Sequence, residues 1–340
     1  MERMTSKILL LFGSLAVLHS CQSEPWDIAP SPSKAIEFVA FADSVLPVDS
    51  AQLLPTLERL APRYPELFIP SMPNGNWRDD LLPYLLDPEV HALYQDVLLT
   101  QREHPDLESR TLFQTIQKGF DRYYAHMGPQ CASCYPSKRV YTYVSRNEEP
   151  MVLMAPEVIF LPLDRYLGPD HPVYARESAY LVQQHNPENA SVEIFKQLAA
   201  YHLPQGIPTD YSLLAGMLTE AKIILFVQAT LGDDAARRAL GYTAGDQGFM
   251  EENETELWGL FVQQRILFND EVDLKRKLIQ PAPFSKLGTS KDREIPGRVG
   301  VWFGWQILQS HWRQHPESTL LEIMEFADAQ SLFQQSGYRP

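Results

Sequence analysis

Apolar residues recur at helical spacing along most of this chain. Leu53, Leu54, Leu57 and Leu60 share one face, and prolines at 55, 62, 65, 70, 73, 83 and 88 cut Ala51–Thr100 into short helices. Trp77–Leu86 and Pro88–Thr100 read as two of these. Leu107–Tyr124 reads as a longer helix, with Leu112, Phe113, Ile116 and Phe120 on one side. Ahead of them, Ile36, Phe38, Val39, Phe41, Ala42 and Val45 predict a short amphipathic start to the globular part. The period then changes. In Arg139–Ser145, Val140, Thr142 and Val144 alternate with Tyr141 and Tyr143, which is strand spacing. Met151–Met154 and Val158–Leu163 predict two further strands, with turns at Asn147 and Ala155-Pro156. These make a small, mainly antiparallel sheet over about residues 139–163.

Helical spacing returns in Ser191–Tyr201 and Tyr211–Leu231. In the second, Leu213, Leu214, Met217, Leu218, Ala221, Ile224 and Leu225 form a broad apolar stripe, with Glu220 on its flank. Gly241-Tyr242-Thr243 reads as a turn. Asn253 and Glu256 fit a capped helix start, followed by Leu257, Trp258, Phe261, Val262, Ile266 and Phe268, so this helix is expected to be buried. Pro296-Gly297 is a turn signal, and Arg298 onward reads as a helix. Gly300 and Gly304 share one face of it, at a cost of about 1 kcal/mol each relative to alanine. Close approach of another backbone would offset that cost, with Trp302 and Trp305 burying large areas beside it. Glu317–Phe333 predicts one last amphipathic helix. The fold class is therefore α+β and mostly α-helical, with helices surrounding the small sheet in a single globular domain over residues 35–335.

The first 34 residues follow a different logic. Arg3 and Lys7 precede the apolar run Ile8–Leu18, which is shorter than the ~20 residues that cross a bilayer and suits a signal peptide over residues 1–20. Leu18-His19-Ser20-Cys21 resembles a lipobox, so Cys21 is the expected lipidation site, carrying acyl chains such as palmitate. Gln22 after it favours the outer membrane. Residues 22–34, rich in proline and serine, read as a flexible tether that would reach ~40 Å when extended.

Charge narrows the partners. A net charge of −14 argues against nucleic acid, which needs a basic face. Cys131 and Cys134 could be a metal half-site, a redox pair or a disulfide. Cys21 is the chain's one other cysteine, so a second zinc-binding pair is missing, and an exported chain favours a local disulfide. Asp164 falls where a strand gives way to a loop and is a site candidate or a turn carboxylate. His126, His171 and His185 read as scattered and solvated. His311 and His315 are four apart, with nothing placed to complete a metal site. No Gly-x-Ser-x-Gly elbow or phosphate loop occurs.

Several pieces occur in a fixed order: the lipobox, Val140–Val144, Leu163–Gly168, Met217–Lys222, Gly241–Thr243, Asn253–Trp258, Pro283-Phe284-Ser285-Lys286 and Pro296–Gln306. The ordered set resembles the gliding-motility lipoprotein GldB family of Bacteroidetes, over roughly residues 35–330. The resemblance implies a cell-envelope lipoprotein of the gliding machinery, linked to type IX secretion. It would act by touching other gliding or secretion proteins, and membrane attachment would be by lipid. The family is distantly similar to predicted zinc peptidases with a His-Glu-x-x-His helix, which implies a degenerate zincin-like core. Glu220 would match the later glutamate and Glu193 the helix glutamate, but Val192 and Lys196 stand where imidazoles are needed. Glu193, Glu220 and Asp164 are thus candidates for a vestigial site, with no catalytic residue, metal or cofactor expected. The alternative is a zinc-dependent hydrolase. Phe284, Ser285, Lys286, Gly297, Arg298, Gly300, Trp302, Gly304 and Trp305 form the fingerprint. The loop from Pro283 to Gly297 is the expected partner surface, with Arg298 pairing a buried carboxylate.

Overall fold

The structure is a computed structural model that describes residues 23–32, 35–68, 76–127, 134, 139–147, 151–155, 157–207 and 209–340. The predicted signal segment, Cys21 and Cys131 lie outside these residues. Cys134 is disulfide-bonded.

The chain runs through β1 (Glu37–Ala40), α1 (Phe41–Val45), α2 (Ser50–Leu60), α3 (Trp77–Leu85), α4 (Pro88–Glu103) and α5 (Ser109–Met127). Then come β2 (Arg139–Tyr143), β3 (Leu153–Ala155) and β4 (Val158–Pro162). The helical remainder is α6 (Asn189–Tyr201), α7 (Leu213–Leu231), α8 (Asp233–Leu240), α9 (Ala244–Gln263), α10 (Val272–Leu278), α11 (Val299–Gln314), α12 (Leu320–Glu325) and α13 (Ala329–Ser336). The α+β, mainly helical class holds.

The sheet corrects one expectation. Its order is β1-β2-β4-β3, with β1 and β4 both parallel to β2 and only β3–β4 antiparallel. The residues read as an amphipathic start supply β1, whose parallel pairing uses α1 to α5 as its crossover. Val140, Tyr141 and Thr142 are all buried, so β2 is covered on both faces despite its alternating sequence. Alternation marks a strand but carries no direction.

α7 forms the centre. It is long and apolar enough to cross a membrane by length and composition, yet α5, α6, α8 and α11 pack around it as a core helix. The α11 helix lies along it. A Cβ on Gly304 would meet the Met217 carbonyl oxygen at 2.6 Å, and one on Gly300 the Leu278 carbonyl oxygen at 2.9 Å. The two glycines therefore permit the close approach that their spacing implied. Trp305 Nε1 donates to Gln228 Oε1 at 2.8 Å, and Gln228 Nε2 donates to Asp233 at 2.9 Å.

Four further expectations are corrected. α9 begins at Ala244, because Thr243 and Asp246 form the capping box, and ends at Gln263; Asn253 sits inside it and donates to the Phe249 carbonyl, while Val262 and Phe268, expected in its buried stripe, are exposed. The last predicted helix is two. Asp328 caps α13, and the Met324 and Phe326 carbonyls at the break accept from Lys222 Nζ at 2.9 and 2.7 Å. Burial pulls the Lys222 pKa down to about 8. His126 and His185 are buried: His126 bonds the Trp26 carbonyl, and His185 stacks on Tyr174 between the Arg165 carbonyl and Glu177. Finally, residues 23–32 are not all free tether. Trp26 is 6% exposed against Trp312, with the Arg313 guanidinium over its ring and Glu24 paired to Arg313 at 2.9 Å.

Candidate functional site

The fingerprint is assembled first by its loop. Ser285 is fully buried; its Oγ donates to the Pro296 carbonyl at 2.8 Å and accepts from Val299 N at 3.1 Å, the first residue of α11. Gly297 is required by contact, since a Cβ there would lie 1.9 Å from the Ala282 carbonyl oxygen. Arg298 adopts a left-handed backbone (φ 63°), a conformation that costs a non-glycine residue about 1 kcal/mol or more. Its side chain offsets that strain. Nη1 donates to the Ala239 and Leu240 carbonyls at 3.3 and 3.0 Å, the last turn of α8, and Nη2 meets Glu220 at 3.1 Å. The carboxylate partner is thus Glu220, but it is 42% exposed rather than buried.

Gly300, Trp302, Gly304 and Trp305 are buried in the seam between α7 and α11 and cannot face a partner. Only Phe284 and Lys286 stand exposed, with Gly297 and Arg298 partly so. The α11 part of the fingerprint therefore holds the fold together, while the loop from Pro283 to Gly297 stays largely at the surface.

Beside Arg298 lies a groove of about 460 Å³ between the start of α6, the end of α8 and the segments 281–283 and 296–298. Its charges are largely matched within the chain. Lys196 pairs with Glu193 at 2.6 Å, and Arg238 with Glu188 at 3.3 Å. Arg237 Nη1 donates to the Tyr242 carbonyl at 2.7 Å. Burial raises the Asp234 carboxyl, but the guanidinium groups of Arg237 and Arg238 outweigh it and hold its pKa below the ordinary value.

Of the three carboxylates singled out in the sequence, Glu193 alone lines the groove; Glu220 lies outside its lining and pairs with Arg298, which does line it. Asp164 is elsewhere. It is fully buried, accepting from Ser145 N and Asn147 N at 2.7 Å each and from Ser145 Oγ at 3.1 Å. Its role is to tie the loop after β2, and burial raises its pKa against those bonds.

A zinc ion does not fit these residues. Val192, a buried apolar residue, and Lys196 stand where imidazole ligands would be needed, and Lys196 and Arg298 already pair with the carboxylates Glu193 and Glu220. His202 faces Tyr123 Oη at 2.8 Å in the core. The His311 and His315 rings lie 4.8 Å apart, and Glu317 takes His315. Burial and the neighbouring His315 hold the His311 pKa below the ordinary imidazole value. Among the described residues, no three His, Cys, Asp or Glu side chains gather as metal ligands.

A family model described as "gliding motility protein GldB" matches residues 24–340. The chain belongs to the GldB family. The match covers the whole described fold, so the Ser285 clamp, the Arg298 turn and the glycine seam are features of a GldB domain. Membership connects the chain with gliding motility, and the family's designation marks it as a cell-envelope lipoprotein with partners in that machinery. No curated protein and no solved structure matches the chain.

Sequence reasoning missed the groove itself. Its walls come from four separate stretches, and of the paired charges on it only Glu193–Lys196 and the Arg237/Arg238–Asp234 set lie within one helical turn.

Proposed function

We propose that this GldB-family protein is a non-catalytic component of the gliding apparatus, linked to type IX secretion, that works by binding other envelope proteins. A signal peptide over residues 1–20 exports it, and acylation of Cys21 holds it at the outer membrane. The match over residues 24–340 carries this reading. The groove supports the absence of catalysis: a general base needs a carboxylate free to take a proton, and Glu193 is held by Lys196. The rim at Pro281, Pro283 and Phe284 offers apolar contact beside these neutralised charges.

The test is complementation of gliding cells that lack their own member of the family. Glu193→Gln should restore colony spreading like the unaltered chain, whereas Cys21→Ser should not. Loss of spreading by Glu193→Gln at normal protein level, or one equivalent of zinc in purified tag-free protein, would overturn the non-catalytic reading.

A further inference from the structure

Four residues lining the groove beside Arg298 carry buried polar atoms that bond nothing among the described residues. Asn189, at the start of α6, is 5% exposed. Its Nδ2 donates to the Gln183 and Gln184 carbonyls at 3.1 and 3.3 Å, which leaves Oδ1 as the unused acceptor. Tyr242, just past α8, is also 5% exposed, and its Oη neither donates nor accepts. Arg238 Nε and Arg298 Nε are two further unused donors. Each such atom gives up its bond to water on folding and gains none in return, so a ligand that bonds it recovers that loss.

Charge narrows what that ligand can be. Every cation of the groove already has a carboxylate: Lys196 has Glu193, Arg237 and Arg238 share Asp234, Arg238 also meets Glu188, and Arg298 holds Glu220. Asp246 accepts from Thr243 N and Oγ1 at 2.8 and 2.7 Å. What remains for recognition is neutral: donors at Arg238, Arg298 and Tyr242, and acceptors at Asn189 and Tyr242. A peptide main chain offers the matching set, with uncharged C=O and N–H groups in alternation. The other walls suit its side chains, because Pro281, Pro283, Pro296 and Leu181 present apolar surface. A sugar ring would call for flat exposed aromatic faces, and Tyr180 alone among the lining residues offers one. At about 460 Å³ the groove falls in the usual size range of ligand sites.

We infer that this groove takes an extended, uncharged peptide segment of a partner protein. The segment is held through its main chain by Asn189 Oδ1, Tyr242 Oη and the Nε groups of Arg238 and Arg298, with its apolar side chains against the prolines. This rests on the protein-binding reading above and says what part of a partner is held, and how. Because the groove's charges are spent on one another, binding depends on hydrogen bonds and apolar contact and is insensitive to salt.

Photocrosslinking in gliding cells, with the full chain, tests this. A photoreactive residue in place of Tyr180 should give an adduct with another polypeptide, through a stretch free of Asp, Glu, Lys and Arg. The same residue in place of Val262, exposed on α9 outside the groove, should not give that adduct. The mapped stretch, made as a synthetic peptide, should bind the purified full chain in fluorescence anisotropy, and a roughly tenfold rise in salt should change Kd less than about twofold. Tyr242→Phe removes a hydroxyl that bonds nothing in the fold, so the urea midpoint should hold or rise while peptide binding weakens by roughly three- to tenfold. Unchanged binding by Tyr242→Phe, a charged mapped stretch, a glycan adduct or no adduct at position 180 would overturn the inference. Amine-reactive cross-linking of the same cells captures protein partners anywhere on the surface. Partners found that way without an adduct at position 180 sink the groove inference alone, whereas a bound peptide recovered cleaved sinks the non-catalytic reading alone.

Discussion

The seam between α7 and α11 and the tip at the start of α7 use the same kinds of side chain to opposite ends. In the seam, Trp302 and Trp305 are 1% and 3% exposed, and glycines bring two backbones together. At the tip, Phe268 and Val272 stand more than half in water although the core lies one turn away. The seam's apolar surface is accounted for by folding, whereas the tip's contributes little to it. The fingerprint residues of α11 thus secure the fold, whereas Phe268, read from the sequence as part of a buried helix, stays at the surface.

The comparison breaks most sharply at Trp302. Trp302→Ala should cost about 3–5 kcal/mol in urea unfolding; a loss below 1 kcal/mol would mean that the seam is not the core it resembles. Acid should reveal the buried side next. Burial lowers the pKa values of His126 and His202 to about 4 from an ordinary 6.5. Between those values the unfolded chain binds more protons, so stability falls as pH drops from 6.5 toward 4, by on the order of 3 kcal/mol per group at most. His202→Gln should flatten that slope, read as the urea midpoint against pH. Ser285→Ala leaves the Pro296 carbonyl and Val299 N without their partner and should cost about 1–3 kcal/mol. At the tip, Phe268→Ser should change stability by no more than about 0.5 kcal/mol. A larger loss would show that the tip belongs to the fold after all.

Most helices were legible because their stripes are local. α6, α7 and α11 begin within two residues of their predicted starts, and the Gly300/Gly304 pair pointed correctly to a close helix contact. The failures share a cause. The alternation of Val140, Thr142 and Val144 marked a strand but could not choose between parallel and antiparallel neighbours. The final stripe hid a break whose carbonyls are taken by Lys222, about a hundred residues earlier. Asp164 looked like a site from its place after a strand, and its oxygens serve a turn instead. Glu193 lines the groove while Glu220 stands outside its lining, and each is paired with its own cation.

By itself, the sequence determined what nearest neighbours on the chain determine: helix spans, the glycine turn at Gly241, and the ordered fingerprint that marks the family. Tertiary structure alone decided the direction of the sheet, the docking of Trp26 and the end of the molecule at which apolar residues stay in water. Those features depend on pairs such as Glu24 with Arg313, 289 positions apart. A periodicity read over a dozen residues carries no information about such pairs, because they form only once the intervening chain has packed.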